Sequence, residues 1–168
     1  MGNYNFKIDL MIANKTEKKV AKLLRESYDY KIIEKENTKK YDYLLLSSKG
    51  NKIKIEIKED FFCKKSHNVA VEYASRGKLS GISTTQADVY IYVIHKPNGE
   101  IVCVWYPISV IKRMIEKEMY RDDRSGGDKG SNTRMYLFYY QLFIKQGTIL
   151  ALDKNEKIWY NRLKDEEV

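Results

Sequence analysis

Cysteine and histidine are scarce in this chain, two of each, at Cys63, Cys103, His67 and His95. None of them stands at zinc-ligand spacing, so no zinc site is expected. The two isolated cysteines read as free thiols of a reducing cytoplasm rather than as a disulfide framework. Proline is equally rare for a chain of this length, and no Pro-rich or Ser-rich linker or internal repeat divides it. The glycines at 126, 127 and 130 do not form a phosphate-binding P-loop, because no Gly-Lys-Ser/Thr closes the pattern before a helix. No apolar run approaches the roughly 20 residues of a membrane span. The first residues, Met1 to Lys7, lack the apolar stretch of a signal peptide, so a cytoplasmic location with no membrane partner is expected.

What is abundant is charge. Of the 168 residues, 32% are charged and 43% hydrophobic, an ordinary balance for a folded chain with one core. The net charge is +8, and residues 1–66 carry 16 Lys/Arg against 10 Asp/Glu while residues 67–168 carry 15 against 13. An excess of cations favours polyanionic partners through counterion release, and nucleic acid is the first of these. A lysine-rich composition alone accounts for the charge equally well.

The local patterns alternate between helix and strand. Asn14 to Glu17 opens a helical pattern with Thr16 or Asn14 as its cap, followed by Val20, Leu23 and Leu24 on one face. Strands are expected from Tyr30 to Glu36 and from Tyr41 to Ser47, with a turn at Lys49-Gly50-Asn51. From Lys52 to Asp60 the alternation is strict, with Ile53, Ile55 and Ile57 facing one way and Lys54, Glu56 and Lys58 the other. Asn68 to Ala74 reads as a further strand, and 75–87 as a Gly/Ser/Thr-rich connection that has room for a short helix. Asp88–His95 and Ile101–Tyr106 form a hairpin around Lys-Pro-Asn-Gly. Pro107 begins a helix with Ile108, Ile111, Ile115 and Met119 at helical spacing. Arg121–Asn132 is the best candidate for a mobile loop, residues 134–150 suit strand or helix, and Lys164–Val168 is expected to fray.

Chemistry concentrates around the third of these strands. Asp42 is followed fourteen residues later by Glu56-Ile57-Lys58, with a turn between. Glu56 and Lys58 share one strand face, and hairpin register decides whether Asp42 joins them. An odd loop, with Gly50 left-handed and Asn51 opposite Ser47, places Asp42 opposite Glu56; an even loop puts Tyr43 there and scatters the group. Two carboxylates and a backbone carbonyl, that of Ile57, are hard oxygen ligands suited to Mg²⁺, or to Mn²⁺ in its place. Lys58 can then orient the attacking water or neutralise developing charge. The same Glu-x-Lys also suits the solvated face of an amphipathic strand.

On these residues the chain resembles the PD-(D/E)XK nuclease superfamily. Tyr41-Asp42 stands in the place of the Pro-Asp element and Glu56-Ile57-Lys58 in that of the acid-x-lysine element. The resemblance covers about residues 10–95 and is nearest to the branch that includes archaeal-type Holliday junction resolvases and small phage or mobile-element nucleases. Its departures are Tyr41 where proline is common and the lack of a clear helix between the third and fourth core strands. It implies an α/β fold with a central mixed β-sheet flanked by helices, a restriction-endonuclease-like core at about 10–95 and a C-terminal elaboration at 96–168 of one domain. It implies a Mg²⁺-dependent endonuclease acting on DNA, with Asp42, Glu56, Lys58 and a helical glutamate, here Glu17, as catalytic residues and Asp42, Glu56 and Ile57 as metal ligands. With no separate specificity domain, selectivity for branched or single-stranded DNA is expected over long-sequence readout. A homodimer would supply the two sites that cutting two strands needs.

Other residues suit a nucleic-acid backbone or a plain surface. Arg76, Lys78, Thr84 and Thr85 combine cations, hydroxyls and glycine-freed amides. Arg121, Arg124, Lys129 and Arg134 flank a Ser-Gly-Gly-Asp stretch as a further candidate clamp. Glu72 is either an additional ligand or a structural or surface carboxylate, and Asp88 is expected to hold its segment rather than bind metal. The fourteen tyrosines can stack on unpaired bases but sit largely at alternating strand positions. The alternative to a nuclease is a catalytically inactive nuclease-fold module that binds DNA, or a protein-interaction module such as a phage regulator.

Overall fold

A computed structural model describes residues 6–35, 40–127, 130–155 and 159. The fold is α/β, as expected. A mixed six-stranded sheet has the order β1-β2-β3-β6-β7-β10, formed by β1 (Lys31–Lys35), β2 (Tyr43–Leu46), β3 (Lys52–Asp60), β6 (Val89–His95), β7 (Ile101–Pro107) and β10 (Thr148–Asp153). A second sheet of four strands, ordered β5-β4-β9-β8, comprises β4 (Asn68–Ser75), β5 (Lys78–Leu79), β8 (Asp122–Gly126) and β9 (Thr133–Tyr139). The helices are α1 (Phe6–Ser27), α2 (Cys63–Ser66), α3 (Ile108–Glu116) and α4 (Tyr140–Gln146). Among the described residues no helix is long and apolar enough to cross a membrane.

The isoleucine alternation in β3 explains the two layers. Ile55 joins Tyr43, Leu45, Ile91 and Val93 beneath Val20, Ala21 and Leu24 of α1. The opposite face of the sheet, with Tyr90, Tyr92, Val104 and Tyr106, packs on Val69, Val71 and Phe138 of the second sheet and on α3 and α4. Glu56 and Lys58 therefore emerge where the second sheet meets the first. Cys63 and Cys103 are buried free thiols, and burial pushes each up to about 12, which leaves them protonated and inert.

β3 and β6 are parallel neighbours, with Glu56 beside Tyr90 and Lys58 beside Tyr92. Parallel strands need a crossover, and here it is built from α2, β4, β5 and a 3₁₀ turn at Gly81–Ser83 rather than from one long helix. Asp60 anchors it: its Oδ1 accepts the Cys63 N–H at 2.8 Å and its Oδ2 the Ala70 N–H at 3.0 Å. Asp88, as expected, holds its segment. Its N–H donates to Lys54 O and its Oδ2 accepts the Lys54 N–H, both at 2.8 Å, which starts the parallel ladder.

Two expectations need correction. Neither Asn14 nor Thr16 caps α1, which already begins at Phe6. Thr16 lies within the helix and donates to Glu59 Oε2 at 2.5 Å, so its hydroxyl serves a cross-element bond instead of the helix end. Arg121–Asn132 is not a loop throughout, because Asp122–Gly126 forms edge strand β8, antiparallel to β9. Backbone pairing, not apolar alternation, creates that strand. Residues 134–150 divide among β9, α4 and β10. Lys129 and Lys164–Val168 lie outside the described residues.

Candidate active site

The hairpin between β2 and β3 adopts the odd-loop register. Tyr43 pairs with Ile55 and Leu45 with Ile53, Ser47 N–H donates to Asn51 O at 2.9 Å, and Gly50 has φ +81°. Asp42 lies one step beyond the last ladder pair, in line with Glu56. Its N–H donates to Ile55 O at 2.8 Å, and its Oδ2 accepts the Ile57 N–H at 2.6 Å. These two bonds bracket Glu56 and fix the aspartate beside it. In a strand the N–H and C=O of one residue point to the same edge, so the Ile57 carbonyl also faces the Asp42 side of β3.

Glu56 and Lys58 form a close ion pair through Oε1 and Nζ. The other oxygen, Oε2, accepts the Thr85 hydroxyl at 3.0 Å. Thr85, expected as a phosphate contact, thus spends its O–H on the carboxylate, while its Oγ1 accepts the Ala87 N–H at 3.1 Å. Glu17 reaches the same region from α1 and pairs with Lys35 of β1 at 3.0 Å. That hydrogen bond holds the Lys35 ammonium above its ordinary value.

The electrostatics bind the four residues into one group. Burial pushes the Asp42 carboxyl up from 3.8 to about 6. The Ile57 N–H opposes that rise, the Glu17 and Glu56 carboxylates add to it, and the Lys58 ammonium opposes it. A crowded, half-buried set of acids with Lys58 as close counter-charge favours uptake of positive charge, as a proton or a divalent cation.

The site opens onto two cavities that flank Lys58. One of about 160 Å³ is lined by Lys40, Glu56, Lys58, Thr84, Thr85 and Gln86, among others. The other, of about 210 Å³, is bordered by Lys58, Ala70, Glu72, Tyr90, Tyr92 and Met135, among others. Glu72 lines both and accepts the Ser80 hydroxyl at 2.6 Å. Gly81 makes this wall possible. A Cβ there would stand 2.2 Å from Glu72 O, and φ is +50°, so only glycine lets the 3₁₀ turn lie on β4. The turn in turn carries Thr84 and Thr85 to the site through their N–H bonds to Gly81 O at 3.2 and 3.0 Å.

The remaining expected nucleic-acid contacts lie farther out. Arg76 and Lys78 are exposed at the β4–β5 hairpin. Arg124 is register-paired with Met135, which pairs with Glu72, so a row on one sheet face leads from Arg124 to the cavity wall. Its guanidinium pairs with Asp122 at 2.6 Å. Arg121 stacks on Tyr139, 5.0 Å from the ring centroid, and Arg134 pairs with Asp123 at 2.9 Å. None of these cations lines either cavity.

Residue patterns gave no sign of two further features. Tyr90 sits beside Glu56 only because of the β3–β6 register, which no local turn encodes. On the opposite face of β3, Glu59 accepts from Thr16 and meets His95 Nε2 at 2.9 Å, with His95 only 1% exposed. The Glu/Lys alternation that marks the site face says nothing of this buried pair.

Among the described residues no group of three or more His, Cys, Asp or Glu side chains is placed to hold a metal ion together. Mg²⁺ is commonly held by one or two carboxylates and keeps several waters. Asp42, Glu56 and the Ile57 carbonyl fit that oxygen-only demand. No protein-family model matches this chain, and no curated protein matches it.

Proposed function

We propose that this protein is a Mg²⁺-dependent DNA endonuclease whose centre is Asp42, Glu56 and Lys58, with Glu17 as a supporting acid. The observation that carries the reading is the odd-loop register, which brings Asp42 to Glu56 and Lys58 through two backbone hydrogen bonds. Such a centre has the parts that phosphodiester hydrolysis needs: a cation site, an ammonium and a cleft.

Asp42, Glu56 and the Ile57 carbonyl would hold the cation, which when bound supplies charge relief and acidifies water. The chain's own contribution is placement. The Ile57 N–H fixes Asp42, and Thr85 fixes one oxygen of Glu56. Lys58, paired with Glu56 in the structure, would present its ammonium to the attacking water or the phosphate. The Lys40 side of the 160 Å³ cavity, with Thr84 and Gln86, offers donors to a phosphate beside the reacting one.

Selectivity for a single-stranded or branched segment is part of this proposal, and comparison of DNA forms tests it. A likeness to the resolvase-like branch of the PD-(D/E)XK nucleases, carried by Asp42 and Glu56-Ile57-Lys58, supports this reading. A homodimer is the assembly that paired cuts at a junction would require, and a cytoplasmic location follows from such a substrate.

Incubation with labelled linear duplex, single-stranded and four-way-junction DNA, with Mg²⁺ or with chelator, tests this directly. Metal-dependent cutting of the branched or single-stranded forms is expected. DNA binding without cutting in any metal would shift the assignment to the inactive nuclease-fold module.

A further inference from the structure

Tyr90 is a large polar side chain at the cleft that this mechanism leaves without a task. It is register-paired with Glu56 across the parallel β3–β6 ladder, so the two side chains stand next to each other on the site face. It is 1% exposed, its ring lies 5.5 Å from Lys58 Nζ, and it borders the 210 Å³ cavity. Its hydroxyl lies within reach of Glu56 and Thr85, yet makes no well-aligned hydrogen bond among the described residues. Burial first, and the Glu56 charge second, raise its pKa, so the group stays protonated and remains a donor.

A buried O–H without an acceptor is costly, and such groups are rare in folded proteins. Phenylalanine would fill the same space without that cost. The neighbouring donors are already engaged, with Lys58 on Glu56 Oε1 and Thr85 on Oε2. A cation held by Asp42 and Glu56 would repel the Lys58 ammonium, and Glu56 would then lack one of its two partners. The Tyr90 hydroxyl is a buried, uncommitted donor beside Glu56 on the neighbouring strand.

We infer that Tyr90 is a positioning residue for Glu56: its hydroxyl donates to the Glu56 carboxylate when that carboxylate turns from Lys58 to hold a divalent cation. This rests on the metal-site reading of Asp42 and Glu56. Donors behind a metal-binding carboxylate fix its orientation, and removing one weakens metal binding by roughly 10- to 100-fold.

Mn²⁺ affinity by calorimetry on wild type and Tyr90→Phe, with metal-free thermal melts of both, separates the possibilities. Wild type binding Mn²⁺ and the variant binding it roughly 10- to 100-fold more weakly, at an unchanged or higher metal-free Tm, is the expected result. The sign of the Tm change matters, because a hydroxyl that makes a structural hydrogen bond in the metal-free protein would lower it on removal. Equal affinities in the two proteins overturn the role of Tyr90 while leaving the metal site standing, and a weaker affinity with a matching fall in metal-free Tm does the same. A wild type that binds no Mn²⁺ overturns the metal-site reading and this inference together.

Discussion

Replacing Asp42 with asparagine should make the metal-free protein more stable at neutral pH and blind to metal. The carboxyl titrates near 6 in the fold, against an ordinary 3.8. Below 3.8 both folded and unfolded chains hold the proton, and the group costs nothing. As pH rises from 3.8 to about 6 the unfolded chain ionises first, so the fold loses stability across that window and the full loss is present above it. The separation corresponds to roughly 3 kcal/mol as an upper bound. The asparagine side chain keeps an oxygen for the Ile57 N–H but never ionises beside Glu17 and Glu56. In EDTA at about pH 8, Asp42→Asn should therefore melt about 4–10 °C above wild type, and near pH 4 the two melts should converge. With Mn²⁺ the comparison changes: wild type gains stability and the variant does not, since its ligand is gone. A variant that melts below wild type at about pH 8, or an offset independent of pH, would refute the assignment of a strained, cation-seeking carboxylate.

Lys58→Met should lower the cleavage rate by about 100-fold or more while Mn²⁺ binding persists, because the ammonium serves the reaction and not the ligand set; loss of Mn²⁺ binding in a titration would count against that division. The same substitution removes the cation that opposes the rise of the Asp42 carboxyl, so the pH midpoint of metal-free stability should move above about 6. Gly81→Ala should cost about 2–4 kcal/mol, from a left-handed backbone and a Cβ driven into Glu72 O. Because the 3₁₀ turn carries Thr85 to Glu56, cleavage should fall with it, and denaturant titration showing wild-type stability would exclude the close approach.

The hairpin at the centre was legible because its determinants are local. Ile53, Ile55 and Ile57 fix which face of β3 is buried, whereas the loop left two registers open, and the structure adopts the odd one that sets Asp42 in line with Glu56. The long-range parts were not. β8 is an exposed edge strand with the polar sequence Asp-Asp-Arg-Ser-Gly, held by backbone pairing to β9, and it carries no period-two signal. Tyr90 meets Glu56 across a crossover that contains part of a second sheet, so its neighbour depends on tertiary register. Thr16 misled for a different reason: threonine favours helix ends, but here a buried acceptor, Glu59, rewards it in the helix interior. Thr85, expected to contact a phosphate, donates to the Glu56 carboxylate in the structure, since a hydroxyl suits a phosphate and a carboxylate equally well.

The most direct measurement compares wild type and Glu56→Ala on the DNA form that wild type cuts fastest, in Mg²⁺ and in Mn²⁺. Metal-dependent cutting by wild type and none by a folded Glu56→Ala is the result predicted here. Cutting that survives the substitution, or a wild type that cuts no DNA form in either metal, would contradict a hydrolytic centre at Asp42, Glu56 and Lys58.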